Sequence, residues 1–381
     1  MVTNHHCNRL LLNLSLGMAV AAVGCSAGSR GGSEADSSPL AVWDTIEVAS
    51  SQEWFSLPSY MTSQQIVNSE GDTTVLALNY RTNSFDRINL THNRFDAPIV
   101  LNREGPDGIT GEIIWFDAFA PDSIVAYDEV KVYLLDTVGR VIDSWQLPGD
   151  PVPFVTRNAQ LHTAEMHFIP SERSLLYPAR KEEQMVIERL DLSTGETDEY
   201  MMVPGWTGER RGFMVYPNLT FANSAVVTAF PYQATVSRIS AGGDVTSQTA
   251  PMKLMTAECG ECAPDPNELM WHSLENPHFG EVVWVPEAGL YAQIVLGPTN
   301  LEGREDPQKA SFDRNFYLRV FDRNLNTVME TDLGAGRFSP YGGWFFTPDG
   351  ICFYGDNPLT DTSTDENAPT VIYRLTLQSA D

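Results

Sequence analysis

Glu165 and His167 lie two positions apart, so in a strand they share a face, and His162 precedes them by three residues. A carboxylate with two imidazoles in one short stretch has two chemical uses. It can ligate a divalent cation, or it can supply a general acid and base near neutral pH. A second imidazole pair, His272 and His278, sits in WHSLENPH. Glu165, His167 and His278 are therefore the metal candidates, with zinc drawing on the imidazoles. Calcium instead prefers oxygen donors, for which Glu104, Glu165, Asn158 and Asn276 are available. None of these spacings is diagnostic, and a hydrogen-bonded histidine beside a channel is the plainer alternative.

Arginines form the second constellation. Arg103, Arg157, Arg210, Arg211 and Arg337 fall in polar stretches between apolar runs, together with Glu104, His162 and His272. Brought to one place, they make a positive spot on a chain of net charge −26, suited to a carboxylate, a sulfate or a sugar acid. The competing reading is local neutralisation of Glu104, Asp107, Glu209 and Glu275. Cys259 and Cys262, in CGEC, point first to a local disulfide in an oxidising compartment. A thioredoxin-like pair needs a helix starting there, which APDP does not offer, and a zinc half-site needs two further ligands. Ala263 excludes haem attachment, and Cys352, inside an apolar run, reads as a buried thiol. No Gly-x-Ser-x-Gly elbow, phosphate-cradling loop with Lys, or His-Glu-x-x-His pattern occurs. A site assembled one residue per repeat leaves no such linear trace.

A repeat must position these residues. Its fullest copy is DSIVAYDEVKVYLLDTVGRVIDSWQL, Asp122 to Leu147: three short runs rich in Val, Ile, Tyr and Leu, divided by acidic or glycine turns. Equivalent second strands start near positions 72, 122, 173, 223, 288 and 349, at intervals of 50, 51, 50, 65 and 61. Such spacing predicts propeller blades, four-stranded sheets that bury their faces only against neighbours. Insertions around CGEC (259–262) and at 298–314 account for the longer intervals. The third strand repeats an Arg before an aliphatic residue, at Arg87, Arg189, Arg238, Arg319 and Arg374. A feature with the period of the blade is expected to serve packing, by pairing with carboxylates or capping strands.

The expected architecture is all-β, a six-bladed propeller over residues 40–381. Blade six runs out of chain before an outer strand, and an open edge exposes unpaired backbone groups. Val42 to Ala49, VWDTIEVA, has the length and pattern to close it.

Residues 1–24 read as a targeting segment with a short Leu-rich core, and Cys25 follows at once. Ala-Val-Gly-Cys resembles the lipobox at which a bacterial signal peptidase cuts and the new N-terminal Cys is lipidated. Residues 25–39, rich in Ser and Gly, are an expected disordered tether. Ser26 after Cys25 favours the outer membrane. The acidic balance argues against nucleic acid and against any membrane contact except through the lipid.

With REGPDG (103–108) where blade one crosses to blade two, the pattern resembles the TolB-like and NHL-like propeller lipoproteins of Gram-negative envelopes. That resemblance implies the fold and an envelope location, while many of those proteins have no known activity. The first functional expectation is a monomeric, lipid-anchored, non-enzymatic propeller that binds a small anionic ligand or an envelope protein. The alternative is a metal-dependent hydrolase, lactonase or lyase with calcium or zinc in the channel.

Overall fold

The computed structural model describes residues 40–50, 56–57, 60, 62–67, 71–105, 108–120, 123–149, 151, 166–182, 184–203, 217–222, 225–254, 269–302, 306–340, 343–355 and 368–378. These residues form six four-stranded antiparallel sheets. The first strand, β1 (Leu40–Val48), stands apart from the blade that follows it. Blade one is β2 (Ser63–Val67), β3 (Thr73–Asn79), β4 (Ser84–Asn89) and β5 (Arg94–Val100). Blade two is β6 (Trp115–Ala120), β7 (Ser123–Tyr127), β8 (Lys131–Leu135) and β9 (Val141–Gln146). Blade three is β10 (His167–Ile169), β11 (Ser174–Lys181), β12 (Gln184–Asp191) and β13 (Thr197–Met202). Blade four is β14 (Asn218–Ala222), β15 (Ala225–Ala229), β16 (Thr235–Ser240) and β17 (Val245–Thr249).

Blade five follows a short helix, α1 (Leu269–Glu275), and opens with β18 (His278–Val285) and β19 (Leu290–Leu296). A second short helix, α2 (Pro307–Ser311), precedes its β20 (Asn315–Phe321) and β21 (Thr327–Ala335). Blade six is β22 (Trp344–Thr347), β23 (Gly350–Tyr354) and β24 (Thr370–Gln378), with β1 as its fourth strand. The closure runs in unbroken register from Leu40 opposite Gln378 to Val48 opposite Thr370. Chain ends that would each leave an edge open thus seal one another, as the apolar alternation of residues 42–49 predicts.

The core follows the blade interfaces. One buried cluster joins blades one and two through Phe85, Ile99, Phe116 and Leu135. Another joins blades six and one through Phe345, Tyr354, Val75 and Ile88. Blades five and six meet through Phe316, Phe338, Trp344 and Phe353. Second strands such as SIVAY and AVVTA are covered on both faces, which explains their continuous apolar runs. Outer strands such as VIDSWQ are largely exposed and carry the polar residues. The hairpins between third and fourth strands reuse one device: the carboxylates of Asp136, Asp191 and Asp322 accept backbone N–H groups two to four residues further on.

Two of the polar stretches hold short helices: residues 271–275 lie in α1 and residues 298–314 contain α2. Asp306 caps α2, accepting from Lys309 N–H, and Pro307 takes the first helical position, where its missing N–H costs nothing. Arg314, 0 % exposed, then binds the insertion to the crossing before blade five. Its guanidinium donates to the carbonyls of Gly297 (2.8 Å), Asn276 (3.0 Å) and Leu296 (3.2 Å). No helix among the described residues is long and apolar enough to cross a membrane.

Candidate functional site

Inner strands ring the axis of a propeller, and two of the six here carry β-bulges. In β6 the register with β7 shifts between Ala118 and Ala120, and in β18 the register with β19 shifts between Phe279 and Val282. The other four inner strands, β2, β10, β14 and β22, pair without a shift. A bulge bends the strand and re-aims a side chain. Each bulged strand places a carboxylate beside the irregularity: Asp117 in blade two and Glu281 in blade five. In a ring of six, blades two and five stand opposite each other.

Neighbouring blades hold both acids. Gln64, on the inner strand of blade one, donates from Nε2 to Asp117 Oδ1 (2.8 Å) and to the Ala118 carbonyl (3.2 Å), while its Oε1 accepts the Ala118 N–H (2.7 Å). One amide thus satisfies the backbone groups that the bulge takes out of the ladder. Burial pushes the Asp117 carboxyl above the usual carboxylate range, opposed by Gln64, by His167 and by the Phe168 N–H. His167, at the start of β10, is pushed below its ordinary value by burial, against the pull of Asp117. Its ring stacks on Phe221 of blade four, with centroids 5.0 Å apart and planes 13° from parallel. A continuous run Gln64, Asp117, His167, Phe221 therefore spans four consecutive inner strands.

Across the ring, Glu281 is 2 % exposed and accepts the indole N–H of Trp344, on the inner strand of blade six, at 3.2 Å. Gly280 makes this bulge practicable, because a Cβ there would meet the Ile294 carbonyl oxygen at 2.9 Å. Gln293 donates to the Gly280 carbonyl (2.8 Å) and accepts from Arg319 (3.1 Å), so the bulge rests on a buried polar network.

The residues singled out by sequence are distributed differently. His167 falls in this ring as expected, but Glu165 and His162 lie outside the described residues. His278 is buried in β18 and His272 lies on α1. Both rings pack against Tyr232, with centroids 5.5 Å and 5.2 Å away. Among the described residues no three of His, Cys, Asp and Glu come together as metal ligands. Arg337 also departs from expectation. It lies over the rings of Trp43 (4.5 Å) and Tyr373 (4.6 Å), on the outer two strands of blade six, so its charge faces aromatic faces and not a ligand mouth. Arg103 and Glu104 are exposed, whereas Arg157, Arg210, Arg211, Cys25, Cys259 and Cys262 lie outside the described residues. Cys352 is a buried free thiol, and burial raises its pKa.

Sequence reasoning passed over Gln64, Asp117, Phe221, Glu281 and Trp344. The signal was an acid inside an otherwise apolar and aromatic inner strand, WFDAFA and HFGEVVWV, next to a small residue.

No family model matches the chain, and no curated protein is similar to it at a significant level. Solved structures share its fold. A member of the DUF4221 family from Bacteroides vulgatus is similar over 91 % of this chain and 100 % of its own, with a TM-score of 0.70 and 14 % identity. A protein from Bacteroides fragilis named as exported is similar over 89 % of this chain and 96 % of its own, with a TM-score of 0.55 and 11 % identity. At such identities the likeness is one of architecture.

Proposed function

We propose that the protein is a binding propeller of the cell envelope, which holds a small ligand in its channel between Asp117 with His167 on one side and Glu281 with Trp344 on the other. The supporting observation is the placement of the two bulges. They occur at the two inner strands that bear acids, on opposite sides of the ring. Two held carboxylates on opposite inner strands suit ligand donors, namely hydroxyl or ammonium groups, and Phe221, half-buried beside His167, offers an apolar face to a sugar-like or amine-bearing skeleton. This ligand class differs from the anion that the arginines suggest; of those arginines Arg337 is engaged by aromatic rings, and Arg157, Arg210 and Arg211 lie outside the described residues.

The leader-like residues 1–24, the lipobox-like stretch ending at Cys25 and the exported neighbour support a lipid-anchored location, with the outer membrane as the membrane concerned. No reaction is part of the proposal.

Thermal melting of the full chain against a panel of polyols, sugars, small amines and divalent cations tests it. A ligand that binds only the folded state at a hundred times its Kd adds about 2.7 kcal/mol, several degrees of melting temperature. The expected result is a shift with a polyol or amine that is lost in both Asp117→Asn and Glu281→Gln. A shift that survives both substitutions, or none across the panel, overturns this site. A shift confined to calcium or zinc, and lost in the variants, would instead favour the metal-dependent enzyme.

A further inference from the structure

Among the described residues no further strand pairs beyond the outer strand of any blade, and five of the six outer strands are guarded by charge. β1 carries Asp44 and Glu47, β5 Arg94 and Asp96, β9 Asp143, β13 Asp198 and Glu199, and β21 Glu330 and Asp332. β17, with the sequence VTSQT, carries no ionisable residue. The difference is sharpest opposite the repeated arginine of the third strand. There Asp96, Asp198, Glu330 and Asp44 face Arg87, Arg189, Arg319 and Arg374, but Thr246 faces Arg238. Arg238 Nε has no hydrogen-bond partner among the described residues, a state it shares with Arg319 Nε and Arg374 Nε, so the missing acid shows in the sequence of the edge and not in this atom.

The ladder shows what this edge offers. Ser240 N–H donates to the Asp244 carbonyl at 2.9 Å and Ala250 N–H to the Ala234 carbonyl at 3.4 Å. Antiparallel alternation between those pairs turns the N–H and C=O groups of Val245, Ser247 and Thr249 away from β16, toward solvent. Beside them lies a groove of about 430 Å³ between blades three and four, lined by Tyr200, Met201, Met202, Ile239 and Val245. Met202 and Val245 are 52 % and 49 % exposed.

We propose that β17 is a self-association edge whose occupant is β17 of a second copy of this chain. Charge selects that occupant: two copies of net charge −26 repel over most of their surfaces, and the edge without charge is where they can approach. A two-fold axis at Ser247 pairs Ser247 with itself and Val245 with Thr249 of the partner. It satisfies six outward N–H groups across the two copies and makes one eight-stranded sheet. The monomer expected from sequence becomes the dilute form.

Sedimentation of the full chain in mild detergent, from about 1 μM to about 1 mM, tests this across moderate and weak affinities. The expected result is a reversible monomer–dimer equilibrium that tightens with added salt as repulsion is screened. Thr246→Asp gives Arg238 the acid its counterparts have, and it should weaken the dimer at least tenfold with no loss of melting temperature. Ser247→Pro removes an outward N–H without touching the ladder to β16 and should do the same, while Ser247→Cys should yield a disulfide-linked dimer on oxidation. A wild-type chain that stays monomeric throughout, or dimerisation that survives both Thr246→Asp and Ser247→Pro, overturns the proposal.

Discussion

Arg189 in blade three and Arg319 in blade five hold the same place in the repeat, each followed by an aliphatic residue on a third strand. Their surroundings differ. Arg189 lies at the rim, 37 % exposed by side chain, and reaches across to Asp198 with two parallel hydrogen bonds of 3.0 and 2.8 Å. Arg319 is 0 % exposed. The acid opposite it, Glu330, accepts the Lys253 backbone N–H at 2.8 Å, and Arg319 turns inward to Gln293 and the Ala250 carbonyl, over the rings of Phe279 and Phe321. The segment after β17, Ala250 to Lys253, makes the difference. It brings a carbonyl for one residue and takes the carboxylate of the other. A repeated residue type therefore predicts its position in the blade but not its energetic role, which depends on what the neighbouring blade contributes.

Arg319→Ala should break the comparison most heavily. It removes a buried cation and leaves Gln293, and through it the Gly280–Glu281 bulge, without support. The expected cost is about 3 to 5 kcal/mol, from the cavity and the two buried acceptors left without a donor, read as the urea unfolding midpoint at unchanged slope. Arg319→Met, apolar and of similar length, should recover part of that loss, because it refills the space that alanine leaves empty. A loss in the alanine variant no larger than that of a rim arginine would mean that burial is not what separates the two sites.

A buried carboxylate in blade one extends the test. Asp86 accepts from Tyr60 Oη (2.6 Å), Asn79 Nδ2 (2.9 Å) and Ser84 Oγ (3.2 Å), and burial raises its pKa against all three. Tyr60 also accepts the Leu57 N–H (3.0 Å), so its hydroxyl joins the crossing loop to the blade. Tyr60→Phe leaves two buried partners short and should cost about 1 to 3 kcal/mol. The channel acid gives the pH counterpart. Because the folded pKa of Asp117 is raised, its ionised form costs stability above that pKa, and the cost fades as pH falls toward the ordinary carboxylate range. Asp117→Asn should therefore melt higher than the wild type at pH 8, with the gap closing toward pH 4; a gap that is constant with pH would show that the carboxyl is not desolvated. His167 works in the opposite direction in both proteins, since its lowered folded pKa removes stability as pH falls below its ordinary value.

These sites also show what a single chain reveals. The blade pattern was legible because second strands buried on both faces must be apolar throughout, and because turns need Asp or Gly at fixed offsets, as at Asp136 and Gly139 (φ 80°). Closure by residues 40–48 was legible because a missing strand and a spare strand imply each other. The channel site was not. Asp117 and Glu281 become a pair only when blades two and five are set opposite, and their partners Gln64, Phe221 and Trp344 are ordinary residues contributed by other repeats. Arg337 was misplaced for a related reason: it sits in a loop by sequence, yet the aromatic rings that hold it include residues 43 and 373, at the two ends of the domain.

The smallest expected effect bears most directly on the comparison. Arg189 and Asp198 meet in solvent, where screening and side-chain entropy offset most of the attraction of a two-point contact. Arg189→Ala should cost no more than about 1 kcal/mol, and Asp198→Ala about the same. In a double-mutant cycle the coupling should lie near 0.5 kcal/mol and fall with salt, since both partners stay hydrated and the interaction is screened within a Debye length of about 8 Å. Glu172 sits 3.7 Å from the other guanidinium nitrogen, so Asp198→Ala alone leaves the arginine a second carboxylate. A coupling that approached the loss in Arg319→Ala would mean that the repeat, not burial, sets the energy of this position in every blade. A coupling near zero, with blade three still folded, would assign the rim pairs to guarding strand edges and leave stability to the interfaces beneath them.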